Sequence, residues 1–292
     1  MTQDLLLVYI QGRLLFQSKP VSTPQNPLSE PPIVSDTPVP LPSPLHSAPP
    51  KENPPWDLWD VLALAAITVV TVFASLFATA WLVHRLLSPG TPWMESLNRP
   101  DVAVIGQLVT YLLVLIVMYG MVDVRSGGKV LAALRWNWPQ RWGRYLLAGV
   151  ALEVCLLPFD YLLPMPKSAP IDAFFRTARD AYILSSFGIF FAPPFEELFF
   201  RGFLYPALAR RFGLIWSILL TSVFFAGIHI FQLRAWGPVL VIFLVGLALT
   251  TVRALRKSVA ASVLMHMTYN ATLFAAAYIA TDGFRHMEKF NQ

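Results

Sequence analysis

Apolar residues run in long blocks along this chain, and polar residues are confined to short interruptions between them. A block of about 20 apolar residues suits a helix that crosses a bilayer. The first block spans 61–83, with Trp56 and Trp59 at its entry and His84 and Arg85 at its end. Further blocks lie at about 102–122, 145–163, 213–231, 239–252 and 258–280. The block at 239–252 has fourteen residues and is marginal for a full crossing. The run 181–192 is too short to cross alone. Pro193 and Pro194 follow it, and a second apolar run then ends near Arg210 and Arg211. Together they read as one span broken at the proline pair, since irregular backbone is tolerated at depth where it lines a cavity. The pattern predicts an all-α, polytopic membrane helical bundle of about seven transmembrane helices around an intramembrane active-site cavity. A short amphipathic helix is expected near 173–179.

Composition agrees with this pattern. The chain is 292 residues long, 55% hydrophobic and 13% charged, against roughly 25% charged for a soluble domain. Between Lys19 and Pro55 the character changes: 13 of the 25 prolines fall there and no aromatic does. Such a stretch cannot bury enough apolar surface to order itself, so it reads as a disordered tail or spacer. The expected organisation is a short segment 1–18, the Pro-rich tail 19–55, spans and a basic aromatic loop at 56–144, a membrane domain at 145–281, and a tail at 282–292.

The net charge of +5 is no argument for nucleic acid, because the basic residues fall in loops beside the spans. Arg125, Lys129, Arg135, Arg141 and Arg144 interleave with Trp136, Trp138, Trp142 and Tyr145, the make-up of a headgroup-level belt. With seven alternating spans, that loop, Arg210-Arg211, and Arg253, Arg256 and Lys257 share one side. The positive-inside rule makes that side, with the N-terminus, cytoplasmic, in a protein integral to the cell membrane. Cys155 is the only cysteine, which excludes an intrachain disulfide and a multi-thiolate zinc site. Glu153, inside a predicted span, reads as a cavity group or as a hydrogen-bonding partner of a neighbouring helix.

Candidate chemistry sits at Pro193-Pro194-Phe195-Glu196-Glu197-Leu198-Phe199-Phe200-Arg201. Ionisable groups at membrane depth are costly and mark a functional site. Prolines suit a first helical turn, which would put both glutamates near the positive end of the helix dipole. Arg201 lies four residues after Glu197 and shares its face, while Glu196 points about 100° away. That spacing assigns Glu197 to Arg201 and leaves Glu196 free for chemistry. Two later spans repeat the four-residue spacing, in Phe225 with His229 and in His266 with Asn270. Carboxylate, imidazole and carboxamide are the groups that hydrolysis needs to move protons and hold an oxyanion.

This ordered triplet on successive helices resembles the CPBP (Abi) family, the group of type II CAAX prenyl endopeptidases and bacteriocin-processing or immunity proteins. The resemblance covers about 145–280. It implies an all-helical intramembrane endopeptidase acting on membrane proteins or peptides within the lipid bilayer. By that resemblance Glu196 and His229 activate the attacking water, and His266 and Asn270 stabilise the oxyanion. Glu197, Arg201 and Phe225 support the site. Glu196, His229 and His266 are also a possible ligand set for zinc, with water in the fourth position. No His-Glu-x-x-His pair is present, and a metal-bound nitrogen cannot also donate to an oxyanion, so a glutamate-activated water without metal is preferred. Two other readings compete: a non-enzymatic immunity factor or peptide-binding scaffold of the same family, and a transporter with a proton relay. Completeness of the polar set favours hydrolysis, and the lack of an evident inverted repeat weakens transport.

Overall fold

The computed structural model describes residues 52–286 except Ser88, Thr91 and Lys167, and leaves aside the side chain of Asp160. The segment 1–18, the tail up to Lys51 and the last six residues therefore lie outside the described part. Six long helical runs carry the fold: α1 (Leu58–Leu87), α2 (Pro100–Ser126), α3 (Gly143–Leu162), α4 (Ala178–Gly227), α5 (Trp236–Arg256) and α6 (Val259–Ala280). No strand occurs among the described residues.

α1 and α2 pair along their length, and α3 pairs with α6. The first part of α4 packs against α1 and α2 through Leu64, Tyr111, Val114, Met118, Phe195, Phe200 and Phe203. A second core joins α3, α5 and α6 through Leu156, Val245, Leu249, Met265 and Tyr269. Outward faces stay apolar: Leu62, Val69, Phe73 and Phe77 on α1 and Leu112, Ile116 and Tyr119 on α2 are exposed. Apolar surface of that extent needs lipid against it. The protein is an all-α bundle built for a membrane.

Four runs are long and apolar enough to cross a membrane by length and composition: α1, α2, α4 and α5. That measure does not reach the expected seven. In α6 the polar residues His266, Thr268, Asn270 and Thr272 dilute the apolar run. The 50-residue α4 holds two predicted spans in one. Its internal boundary is Gly213, whose φ of 76° and ψ of −177° interrupt the helix in a conformation open to glycine. α5 is longer than the fourteen-residue block suggested, at 21 residues, because Pro238 falls in its first turn, where no intrahelical acceptor awaits the missing N–H. The amphipathic helix expected near 173–179 is instead a 3-10 turn at Pro170–Phe174 followed by the start of α4.

The proline pair does not start a helix, and this corrects the expectation. Helical backbone runs through it, with π-helical segments at Phe187–Phe191 and Leu198–Leu204. Each π segment ends two residues before a proline, with Ala192 preceding Pro193 and Tyr205 preceding Pro206. A proline ring clashes with the carbonyl four residues back and offers that carbonyl no N–H. Widening the turn lets Ala192 N–H bond Phe187 O, and Tyr205 N–H bond Phe200 O. The glutamates thus lie mid-helix, away from any dipole end.

The Pro-rich stretch also packs earlier than its predicted boundary at Pro55. Glu52 and Pro54 are buried, and Glu52 pairs with Arg253 at 3.1 Å and Lys257 at 2.9 Å. Residues 135–137 join the same end through Ser258 Oγ, which donates to Asn137 O, and Val259 N–H, which donates to Arg135 O. Burial opposes ionisation of Glu52, but the nearby Arg253 and Lys257 charges outweigh it and hold the carboxyl below its usual range. A carboxyl lowered in the folded state stabilises the fold above its unfolded pKa of about 4.3. That contribution disappears as pH falls through the folded value. The melting temperature of the native protein in detergent is therefore expected to exceed that of Glu52→Gln near neutrality, and the gap to close on acidification. A gap that is constant with pH would rule out this ion pair as its source.

Candidate active site

The site is built around Phe225, 2% exposed near the end of α4. Its ring centroid lies 5.4 Å from the His229 ring and 5.7 Å from the His266 ring. The Arg201 guanidinium lies 4.3 Å from the same centroid, a cation–π distance. Phe200 meets the ring edge-on at 5.3 Å. One aromatic side chain thus contacts both imidazoles and covers the arginine.

Arg201 and Glu197 are both fully buried and pair at 2.9 Å between Nη1 and Oε1. The arginine's other donors reach α5: Nη2 donates to Gly246 O at 3.2 Å and Nε to Thr250 Oγ1 at 3.2 Å. Gly246 permits that approach. A Cβ there would stand 3.1 Å from Ser222 Cβ and 3.3 Å from Phe225 Cδ1. A buried charge needs a counter-charge and filled hydrogen bonds, and Arg201 has both.

Glu197 holds His266 as well. His266 Nδ1 lies 2.9 Å from Glu197 Oε1, the oxygen that also meets Arg201. An ionised carboxylate only accepts, so Nδ1 carries the hydrogen, and in the neutral ring the lone pair is on Nε2. That Nε2 lies 3.9 Å from Glu196 Oε2. Two acceptors at this separation leave room for a donor of two hydrogens, such as water, to bridge them. Glu196 retains 13% side-chain exposure, whereas Glu197 has none.

Residues 179–272 match the family described as type II CAAX prenyl endopeptidase Rce1-like. This segment is Rce1-like. No curated protein and no solved structure matches the chain. The match contains Glu196, Glu197, Arg201, Phe225, His229, His266 and Asn270. The segment is similar to that of CAAX-type membrane proteases, and the long apolar helices make the chain an integral membrane protein.

Within the Rce1-like segment, His229 follows the end of α4, and its Nδ1 bonds Phe225 O at 2.9 Å. A carbonyl only accepts, so this imidazole too carries a hydrogen on Nδ1. Asn270 Nδ2 donates to Gly188 O at 2.7 Å. In the π register that carbonyl would have bonded residue 193, a proline without an N–H. The asparagine therefore repairs the helix defect with one of its two N–H bonds and retains the other.

Glu196, His229 and His266, the possible zinc set, do not form a group placed to hold a metal ion. Among the described residues no group of three or more His, Cys, Asp or Glu side chains is placed to hold a metal ion. His266 reaches both glutamates, while the Nδ1 of His229 is tied to Phe225.

Sequence reasoning missed Gly246 and Thr250, which hold Arg201, and Tyr111, whose ring stacks 3.8 Å from that of Phe195 and lies within reach of the Glu196 charge. Their signals are slight: a glycine and a threonine four apart in α5, and a phenol inside an apolar span. Glu153 is buried on α3 and engaged with neighbouring groups, in keeping with the packing role weighed for it.

Proposed function

We propose that the protein is an intramembrane endopeptidase that hydrolyses peptide bonds of membrane-associated proteins or peptides. The observation that carries this reading is the 3.9 Å gap between Glu196 Oε2 and His266 Nε2. One acceptor is a carboxylate left unpaired by arginine. The other is a nitrogen whose tautomer is set by Glu197. A water in the gap would donate one hydrogen to each. Glu196 takes its proton as the water oxygen bonds to the scissile carbonyl carbon and the carbonyl electrons move onto oxygen. The remaining Asn270 N–H donates to that oxyanion in this reading. Collapse of the intermediate breaks the C–N bond, and the leaving nitrogen receives the proton from Glu196. His229, beside Phe225, shares in proton movement.

This reading redistributes the roles implied by family resemblance. The resemblance paired Glu196 with His229 for water and gave His266 to the oxyanion, whereas Glu196 lies 3.9 Å from His266. Glu197, Arg201 and Phe225 keep a supporting role. The basic end, where Arg253 and Lys257 gather, faces the cytoplasm of a cell membrane in this reading. The test compares proteomes of cells carrying the native protein and Glu196→Ala. New termini in membrane proteins are expected in the first and absent in the second. Identical sets of termini would overturn the assignment.

A further inference from the structure

Residues 52–56 touch none of the groups proposed to react. Yet each of their polar contacts lands on one of the two helices that Arg201 bridges. Glu52 Oε1 accepts from Arg253 Nη1 and Lys257 Nζ, at the C-terminal end of α5. Pro54 O accepts from Arg210 Nη1 of α4 at 2.9 Å. The Trp56 indole N–H donates to Phe203 O, inside the second π segment of α4, at 2.9 Å. Its ring stacks on Phe203 at 5.0 Å and 18°, and Trp56 is 1% exposed.

These anchors lie close to the grip on Arg201. Phe203 is two residues beyond Arg201, and Arg253 is three residues beyond Thr250. Arg253 is fully buried, its Nε and Nη2 meet no hydrogen-bond partner among the described residues, and Glu52 is the one carboxylate paired with it there. Its guanidinium also lies 5.3 Å from the ring centroid of Tyr205 on α4. α5 ends at Lys257, whose φ of 54° is unusual outside glycine and whose ammonium is held by Glu52. Gly246 leaves no slack between the helices, since a Cβ there would already crowd Ser222 and Phe225.

We infer that the strap Glu52–Trp56 is a clasp that sets the spacing of α4 and α5, and that Glu52 and Trp56 are positioning residues for the Arg201–Glu197–His266 line. The inference rests on the hydrolytic reading for its effect on rate, but not for its mechanical content. Loss of Glu52 leaves Arg253 charged and uncompensated at the end of α5. Loss of the Trp56 N–H leaves Phe203 O without that donor where the π register is already irregular. Either change loosens both helices at the level of Arg201, because the arginine is bonded to each.

The test uses the full chain with Glu52→Gln and Trp56→Phe, which keep size or stacking and remove one interaction each. Backbone hydrogen exchange is read by mass spectrometry, and formation of Glu196-dependent termini is read in membranes at equal protein level. Exchange is expected to rise roughly tenfold, together, in 198–210 and 246–257 while α1 and α2 keep native rates. Formation of the termini is expected to fall several-fold, with Glu52→Asp restoring part of it. Faster exchange confined to 52–57, with native cleavage, would overturn the clasp and leave the strap a mere anchor. Coupled exchange in both helices, in a protein whose native form yields no Glu196-dependent termini, would support the clasp and defeat the protease reading.

Discussion

Arg201→Met is expected to cost about 3–5 kcal/mol of stability, because it strands the Glu197 carboxylate in a site with no solvent exposure. Glu197→Gln is expected to cost a similar amount by leaving the guanidinium without its counter-charge. The arginine would still have Gly246 O and Thr250 Oγ1, so its loss should be the smaller of the two. The double variant Glu197→Gln with Arg201→Met should be more stable than the sum of the single effects predicts. A buried pair replaced as a unit carries no stranded charge, whereas a buried pair broken on one side does. Melting temperatures in detergent for the four proteins form the cycle. Strict additivity would mean that the 2.9 Å contact carries no coupling energy, and would remove Glu197 and Arg201 as the frame of the site.

Glu196→Gln is expected to abolish cleavage while leaving the melting temperature close to native. The carboxamide matches the carboxylate in shape, and Glu196 pairs with no arginine or lysine among the described residues. His266→Gln is expected to lower the turnover number by about 100-fold to 10,000-fold, the usual contribution of a positioned proton-transfer group. It should also destabilise modestly, since Glu197 loses a partner. His229→Gln should reduce turnover less, because the imidazole that Glu196 approaches to 3.9 Å is that of His266. Single-turnover rates for the three variants decide the order. A His229→Gln defect larger than that of His266→Gln would return the water to the pairing implied by family resemblance.

What the sequence made legible is what helical periodicity carries within one element. The spacing of Glu197 and Arg201 places both on one face, and the ion pair forms there. Apolar blocks located the long helices, and the Gly213 boundary coincides with a change of span. What stayed hidden came from other helices. Gly246 and Thr250 are ordinary residues of α5 until Arg201 reaches them. The prolines misled because a proline read in isolation favours a helix start. Here the same missing N–H is absorbed by a π turn and by Asn270, 82 positions away in sequence. The strap escaped for a compositional reason. Proline content carried the tail to Pro55, whereas Glu52 and Pro54 are buried by partners on α4 and α5.

The two π segments have a consequence for how this helix tolerates insertion and deletion. A π turn holds one residue more than the α turn it replaces, so each segment is a stored insertion in the rotational phase of α4. Removing one residue from Leu198–Leu204 would let the backbone close to α and keep the parts before and after it in phase, whereas a second deletion there would rotate them against each other by about 100°. Glu196 and Glu197 would then turn away from the face that carries Phe225, with no side chain altered. The stretch can thus absorb one deletion in phase but not two, and the segment's length is a part of the site alongside its residues.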